Sequence, residues 1–239
     1  MKKGLKEVKS SLQICLITYN NMAKSLYYNT VSPLLLSTLQ NLMKTSVFGD
    51  FRLVGGTSLS LQLGHRQSVD IDLFTDCMYD SVDFKSIDEY LRKHYAYVDT
   101  FETDIVGMGK SYYIGDSKYD CIKLDLFYTD QFIRPFLLID GLRLASLEEI
   151  TAMKIDVVSR GGRKKDFWDI HELMEILSIE EMLHLHEERY PYSHDKQEII
   201  TNFRSIANAD IDFDPICLRR KYWEIIKLDL IEAVQQVQQ

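Results

Sequence analysis

Two short stretches, V-D-I-D-L-F at 69–74 and I-K-L-D-L-F at 122–127, constrain this chain more than anything else in it. Each alternates apolar and polar residues, the period of a strand with one buried face. In the first, Val69, Ile71 and Leu73 form the apolar face. Asp70 and Asp72 project together from the other, about 7 Å apart by the rise of a strand. Two carboxylates side by side repel unless a cation sits between them. Hard oxygen donors of this kind suit magnesium or manganese. In the second stretch Asp125 is another carboxylate set among apolar strand residues. If the two strands are neighbours, three carboxylates converge, the set that metal-assisted phosphoryl or nucleotidyl transfer uses. The solvent face of an edge strand would give the same bare pattern.

The surroundings favour the first reading. F-R-L-V at 51–54 reads as a strand that runs into Gly55-Gly56-Thr57, and T-S-L-S-L-Q-L as the short helix that follows. A glycine turn opening a helix lets backbone amides approach a phosphate, although a glycine pair is also a common tight turn. His65 and Arg66, in the loop before the acidic strand, either touch phosphate or fix the loop.

The organisation is α+β up to about residue 140 and helical beyond it. Residues 5–45 are helical in pattern, with Pro33 opening a second helix that Gly49 and Asp50 close. Residues 84–94 read as a helix, and 96–128 as three strands joined by hairpin turns. Ser146 with Glu149 starts a helix ending at Gly161-Gly162, and Asp166 caps the next. Ser178 with Glu181 and Asp195 with Glu198 mark two more starts. Asp214-Pro215 opens a final helix to about residue 235. In the helix after Ser146, Ile150, Met153 and Val157 make an inward stripe, with Lys154 at its edge. A lysine there lays its stem on apolar surface and brings its ammonium to a cleft or to solvent. Asp169 could be the capping-box partner of its helix.

Taken together, G-G-T, D-I-D and an aspartate within a later strand resemble the signature of the DNA polymerase beta nucleotidyltransferase superfamily. GGTSLSLQLGHRQSVDIDLF is similar in detail to the AbiEii/AbiGii abortive-infection toxins within it. IKLDLF resembles that family's second motif, with a lysine two residues before the acid, and KIDVVSRGGRKKDFWD its third. The likeness runs from about residue 30 to 175. It implies an α+β nucleotidyltransferase core, a mixed twisted sheet flanked by helices, over 1–140. A helical region over 141–239 would contribute Lys154 and Asp169 to the active site. Gly55, Gly56 and Thr57 would hold the triphosphate, with Arg66, Ser68 and Lys123 also on the nucleotide. Asp70 and Asp72 would bind Mg²⁺ or Mn²⁺, with Asp125 as third ligand or general base. The implied reaction moves a nucleoside monophosphate from an NTP to a hydroxyl acceptor, transfer RNA 3′ ends being one class. The implied setting is a toxin–antitoxin or phage-defence pair with an antitoxin protein. A small-molecule or protein acceptor, and an inert binding relative, are the alternatives.

Composition narrows this further. A formal charge of −8 argues against binding nucleic acid over the whole surface, leaving Arg160, Arg163, Lys164 and Lys165 as the local basic patch. No apolar run approaches the ~20 residues needed to span a bilayer. The apolar patch L-Q-I-C-L-I-T-Y near the N-terminus is too short and interrupted for a signal peptide. Cys15, Cys77, Cys121 and Cys217 are widely spaced, which reads as reduced core thiols of a cytoplasmic protein. His184 and His186 lie two apart on a helix and make a poor metal pair, and His171 reads as packing or surface.

Overall fold

The computed structural model describes residues 25–101 and 106–237. The expected helix before residue 25, and Cys15 with it, lie outside the described residues. Contacts divide the chain into two compact units, residues 27–146 and 147–237, with Ser25 and Leu26 grouped with the second.

The first unit is built on a seven-stranded mixed sheet. Its strands are β1 (Arg52–Leu53), β2 (Asp70–Thr75), β3 (Tyr97–Thr100), β4 (Gly109–Ser117), β5 (Asp120–Tyr128), β6 (Leu137–Ile139) and β7 (Leu142–Leu144). Their order is β3-β4-β5-β2-β1-β7-β6. β2 and β5 run parallel, as do β1 and β7, and the remaining pairs are antiparallel. Parallel neighbours need a long crossover. Here it contains α3 (Phe84–His94) and the β3–β4 pair. Ile71, Leu73, Leu124 and Leu126 are fully buried on one face. α1 (Pro33–Lys44) packs on β2, β5 and β7 with Leu35, Leu39 and Leu42 equally buried. Burying one such leucine is worth about 1.5–3 kcal/mol. Ser32 caps α1 by accepting from Leu35 N at 3.1 Å, with Pro33 at the first helical position.

The second unit is helical: α4 (Leu147–Ser159), α5 (Lys164–Leu173), α6 (Ile179–Arg189), α7 (Lys196–Arg204) and α8 (Trp223–Gln236). α4 packs on α5, α6 and α7, and α5 on α8. The Glu149–Arg189 pair, 2.5 Å apart and without exposed side-chain surface, ties α4 to α6. Ser178 and Glu181 form the expected capping box, and Asp195 accepts from Gln197 N and Glu198 N ahead of α7.

Several sequence expectations are corrected. Val69 precedes β2 and is exposed, so the apolar face starts at Ile71. Val157 also faces out, and the inward stripe of α4 runs through Ile150, Lys154, Ile155 and Val158. Residues 214–222 are not helical, because the segment is held elsewhere. Lys164 Nζ binds Asp214 at 2.9 Å, and Arg219 and Lys221 pair with Glu172 and Glu175. α1 ends at Lys44, ahead of a separate turn at 46–48, and residues 28–30 form another isolated turn. The β6–β7 hairpin has no counterpart in the sequence reading. Cys77, Cys121 and Cys217 are half-buried free thiols, not core residues. No helix among the described residues is long and apolar enough to cross a membrane.

Candidate active site

β2 and β5 are the fourth and third strands of seven, deep inside the sheet. The edge-strand explanation for the acidic pair therefore does not apply. Interior strands of a parallel pair normally bury both faces in apolar residues. Here Asp72 and Asp125 are register partners, and Asp70 stands opposite Lys123. Side chains two apart share a face, so all four project from the side opposite Ile71 and Leu124. Phe74 and Phe127, partners one step further on, stack edge-to-face on that same side at 6.0 Å.

The electrostatics follow from this placement. Lys123 Nζ donates to Asp125 Oδ2 at 2.5 Å. Burial works against the charge of Lys123. The Asp125 hydrogen bond, together with the charges of Asp125, Asp72 and Asp70, outweighs it and raises the lysine's pKa. One ammonium thus stands among three carboxylates. Asp125 Oδ1 is buried and has no hydrogen-bond partner. Leaving such an oxygen unsatisfied costs about 1–3 kcal/mol, more when charged, so its retention needs a reason.

A divalent cation fits that reason: the donors are hard oxygens on one face, with an unused buried lone pair among them. Among the described residues, however, no three acidic, histidine or cysteine side chains are gathered tightly enough to enclose a metal as they stand. Asp70, Asp72 and Asp125 lie as a row along β2 and β5, with Lys123 in contact with Asp125.

The glycine bend abuts this row. α2 (Gly55–Leu63) starts at Gly55 itself, and its first intrahelical bond is Ser58 N to Val54 O at 3.4 Å. The amides of Gly55, Gly56 and Thr57 precede that bond, at the positive end of the helix. Gly55 has φ +65°, and a Cβ there would lie 2.6 Å from Asp72 Oδ2. Val54 N donates to Asp72 O at 2.9 Å. The bend and the carboxylate are thus in contact.

The other predicted nucleotide residues sit deeper than the sequence suggested. Thr57 is buried, and its hydroxyl bonds Ser68 Oγ at 2.8 Å and the carbonyl of Asp70. That hydroxyl positions β2, leaving Thr57 only its amide for a phosphate. Ser68 is used in the same way, its N–H going to Thr30 O at 2.8 Å. Arg66 is buried beneath Gly56, where a Cβ would fall within 2.4 Å of Nη2, and its Nη1 donates to Gln67 O at 3.0 Å. Its charge backs the bend from within. His65 is fully buried in the loop before β2.

In the helical unit, Lys154 is buried and bridges Asp166 Oδ1 at 2.6 Å and Asp169 Oδ2 at 2.7 Å. It is not a surface lysine lying along a helix margin. Asp166 is not the N-cap. α5 begins at Lys164, so Asp166 is the third residue of the helix and accepts from Arg163 N at 3.0 Å. Asp169 is fully buried and takes no part in capping. Of the basic run, Lys164 is buried against Asp214 and Arg160 pairs with Asp156 at the surface, while Arg163 is exposed. His171 Nε2 meets Asp229 at 2.9 Å, a packing role.

A feature missed from sequence lies on the carboxylate face, across β3, β4 and β5. It is a cavity of about 510 Å³ lined by Asp99, Phe101, Ser111, Tyr113 and Phe127 among others. Ser111 is the register partner of Asp125.

This is the fold of a nucleotidyltransferase. A Helicobacter pylori protein described as a nucleotidyltransferase superposes with a TM-score of 0.54, over 85% of this chain and 91% of that one, at 21% identity. MenT4, a nucleotidyltransferase toxin of Mycobacterium tuberculosis, gives 0.54 over 94% and 89% at 17% identity. The chain belongs to the nucleotidyl transferase AbiEii toxin family of type IV toxin–antitoxin systems, whose family model matches residues 37–236. An uncharacterised protein of Aquifex aeolicus (strain VF5) is 29% identical over 141 residues, which span 57% of this chain and 63% of that protein's length.

Proposed function

We propose that the row Asp70, Asp72 and Asp125 is where this nucleotidyltransferase moves a nucleoside monophosphate from an NTP onto the 3′-hydroxyl of an RNA, with magnesium or manganese as cofactor. The observation that carries this is the register match of Asp72 with Asp125, with one buried oxygen of Asp125 unused. In this reading a divalent cation held by Asp70, Asp72 and Asp125 supplies charge neutralisation on the phosphates. The chain's own groups do the rest. The amides of Gly55, Gly56 and Thr57 take the triphosphate at the α2 N-terminus, with Arg66 behind them. Asp125 accepts the proton of the incoming hydroxyl as its oxygen bonds the α-phosphorus. The bond from the α-phosphorus to the bridging oxygen breaks, and pyrophosphate leaves towards the bend. Lys123 keeps Asp125 oriented.

We extend the proposal to Lys154 and Asp169, as a buried pair that turnover requires, and to Asp70 as a metal ligand. The biological setting that fits the family is a toxin acting in the cytoplasm, in abortive infection, with an antitoxin encoded alongside. A small hydroxyl compound as acceptor is the second reading, and the charge of −8 favours it, since RNA binding leans on cationic surface.

The experiment is incubation with α-labelled NTPs, magnesium and either total transfer RNA or a panel of small hydroxyl compounds. Label is expected in RNA and absent once the 3′-hydroxyl is blocked. Label in the small compounds alone would replace the acceptor, and no transfer to any acceptor would remove the reading.

A further inference from the structure

We propose that the cavity over β3, β4 and β5 is a stacking subsite for the terminal base of the acceptor's single-stranded 3′ end. The inference rests on the transfer reading and adds the acceptor's binding site to it.

Geometry comes first. Along the sheet the order is phosphate bend at β1 and β2, carboxylates on β2 and β5, then the cavity on β5, β4 and β3. In-line displacement puts the attacking hydroxyl on the side of the phosphorus opposite the leaving pyrophosphate. With pyrophosphate at the bend, the acceptor arrives from the β5–β4 side. There the first residue is Ser111, directly across from Asp125, and the cavity continues to Asp99 and Tyr113, partners on β3 and β4. Strand spacing places these groups about 5–12 Å from the Asp125 backbone.

The lining then selects the occupant. Tyr113 and Phe101 are exposed aromatics, and Phe127 is braced from behind by Phe74. Gly109 leaves Phe127 uncovered, because a Cβ there would come within 2.5 Å of Phe127 Cδ1. Exposed aromatics on a sheet face are the platform on which unstacked bases are held. The charges on the lining exclude a phosphate. Lys110 is paired with Asp88 at 3.3 Å, and Asp99 presents a carboxylate braced by the Tyr97 hydroxyl at 3.3 Å. A flat, neutral group with amine donors suits that wall; a triphosphate does not. The volume, about 510 Å³, falls within the usual range of roughly 300–1,000 Å³ for ligand sites.

The test is fluorescence anisotropy with a short labelled single-stranded oligoribonucleotide and no NTP. Tyr113→Ala is expected to weaken binding about tenfold, Phe101→Ala to weaken it as well, and Tyr113→Phe to hold it within about twofold. Both positions are solvent-exposed, so the substitutions spare the fold, and a melting curve checks this. An unchanged Kd for both alanine variants, or no measurable binding by the wild-type protein, would overturn the subsite. Failure of the transfer reading is separable: it shows as no labelled transfer by the wild-type protein to any acceptor, or as transfer undiminished by Asp72→Asn, whatever the binding isotherms show.

Discussion

Lys154 sits between two buried aspartates with almost no exposed surface of its own. Removing the ammonium would strand both carboxylates, which for buried pairs costs about 3–5 kcal/mol. Lys154→Ala is accordingly expected to lower the melting temperature and, in protein still folded at the assay temperature, to cut kcat more than a hundredfold. A turnover loss under about threefold, ~0.7 kcal/mol, would leave Lys154 a structural residue only. The sequence alone did not disclose this burial. Four residues after Ile150, a lysine is compatible with either margin or interior, and only the aspartates of α5 decide. Asp70, Asp72 and Asp125 were legible because strand alternation is a local property, and local properties survive in sequence. Thr57 and Arg66 were legible as site neighbours but not in their orientation: the Thr57 hydroxyl goes to Ser68 and the Asp70 carbonyl, and Arg66 donates to the Gln67 carbonyl.

Among the elements, the start of α2 couples conformation to chemistry. Gly55 is left-handed there and touches Asp72. Gly55→Ala would introduce both a strained φ, at about 1–2 kcal/mol, and a methyl group inside the carboxylate's contact distance. Reduced stability and lost transfer are expected together; a variant with normal transfer would separate the bend from the site. The end of α6 carries a second coupling. His186 Nδ1 and His194 Nδ1 are 2.9 Å apart, so one donates and the other accepts. Burial, and then the neighbouring His186, push the His194 pKa below the usual imidazole value. The unfolded chain therefore takes up that proton first. Stability from the pair is present above about pH 6.5 and is lost as pH falls through the lower folded value. Thermal melts between about pH 7.5 and pH 5.5 should show this loss, and His194→Gln should flatten it. An unaltered slope in the variant would assign the pH dependence elsewhere. Capped elements such as α6 and α7 were legible from their first turns. β6 and β7 were not, because three-residue strands carry no period to read. The course of 214–222 is set by ion pairs to residues some forty to fifty positions away.

For the molecule as a whole, the acidic balance of −8 disfavours contact with an RNA backbone spread over the surface. If stacking on Tyr113, Phe101 and Phe127 carries the contact, oligoribonucleotide affinity should respond weakly to salt. The expected slope of log K against log salt is about −1, against about −3 for four phosphate contacts. A steep slope would return the interaction to the basic run that the sequence first suggested. The aromatic platform escaped the sequence reading because Tyr113 and Phe127 are ordinary strand residues in isolation. Only the pairing of β4 with β5 puts them beside Asp125.

The assignment of the chemistry to the β2–β5 carboxylates is open to one direct measurement: transfer of labelled nucleotide by Asp72→Asn and Asp125→Asn, with melting curves recorded in parallel. Each variant is expected to fold like the wild type and to lose about a thousandfold or more in turnover, roughly 4 kcal/mol of barrier. Transfer within about threefold of wild type by a well-folded Asp72→Asn protein would contradict it.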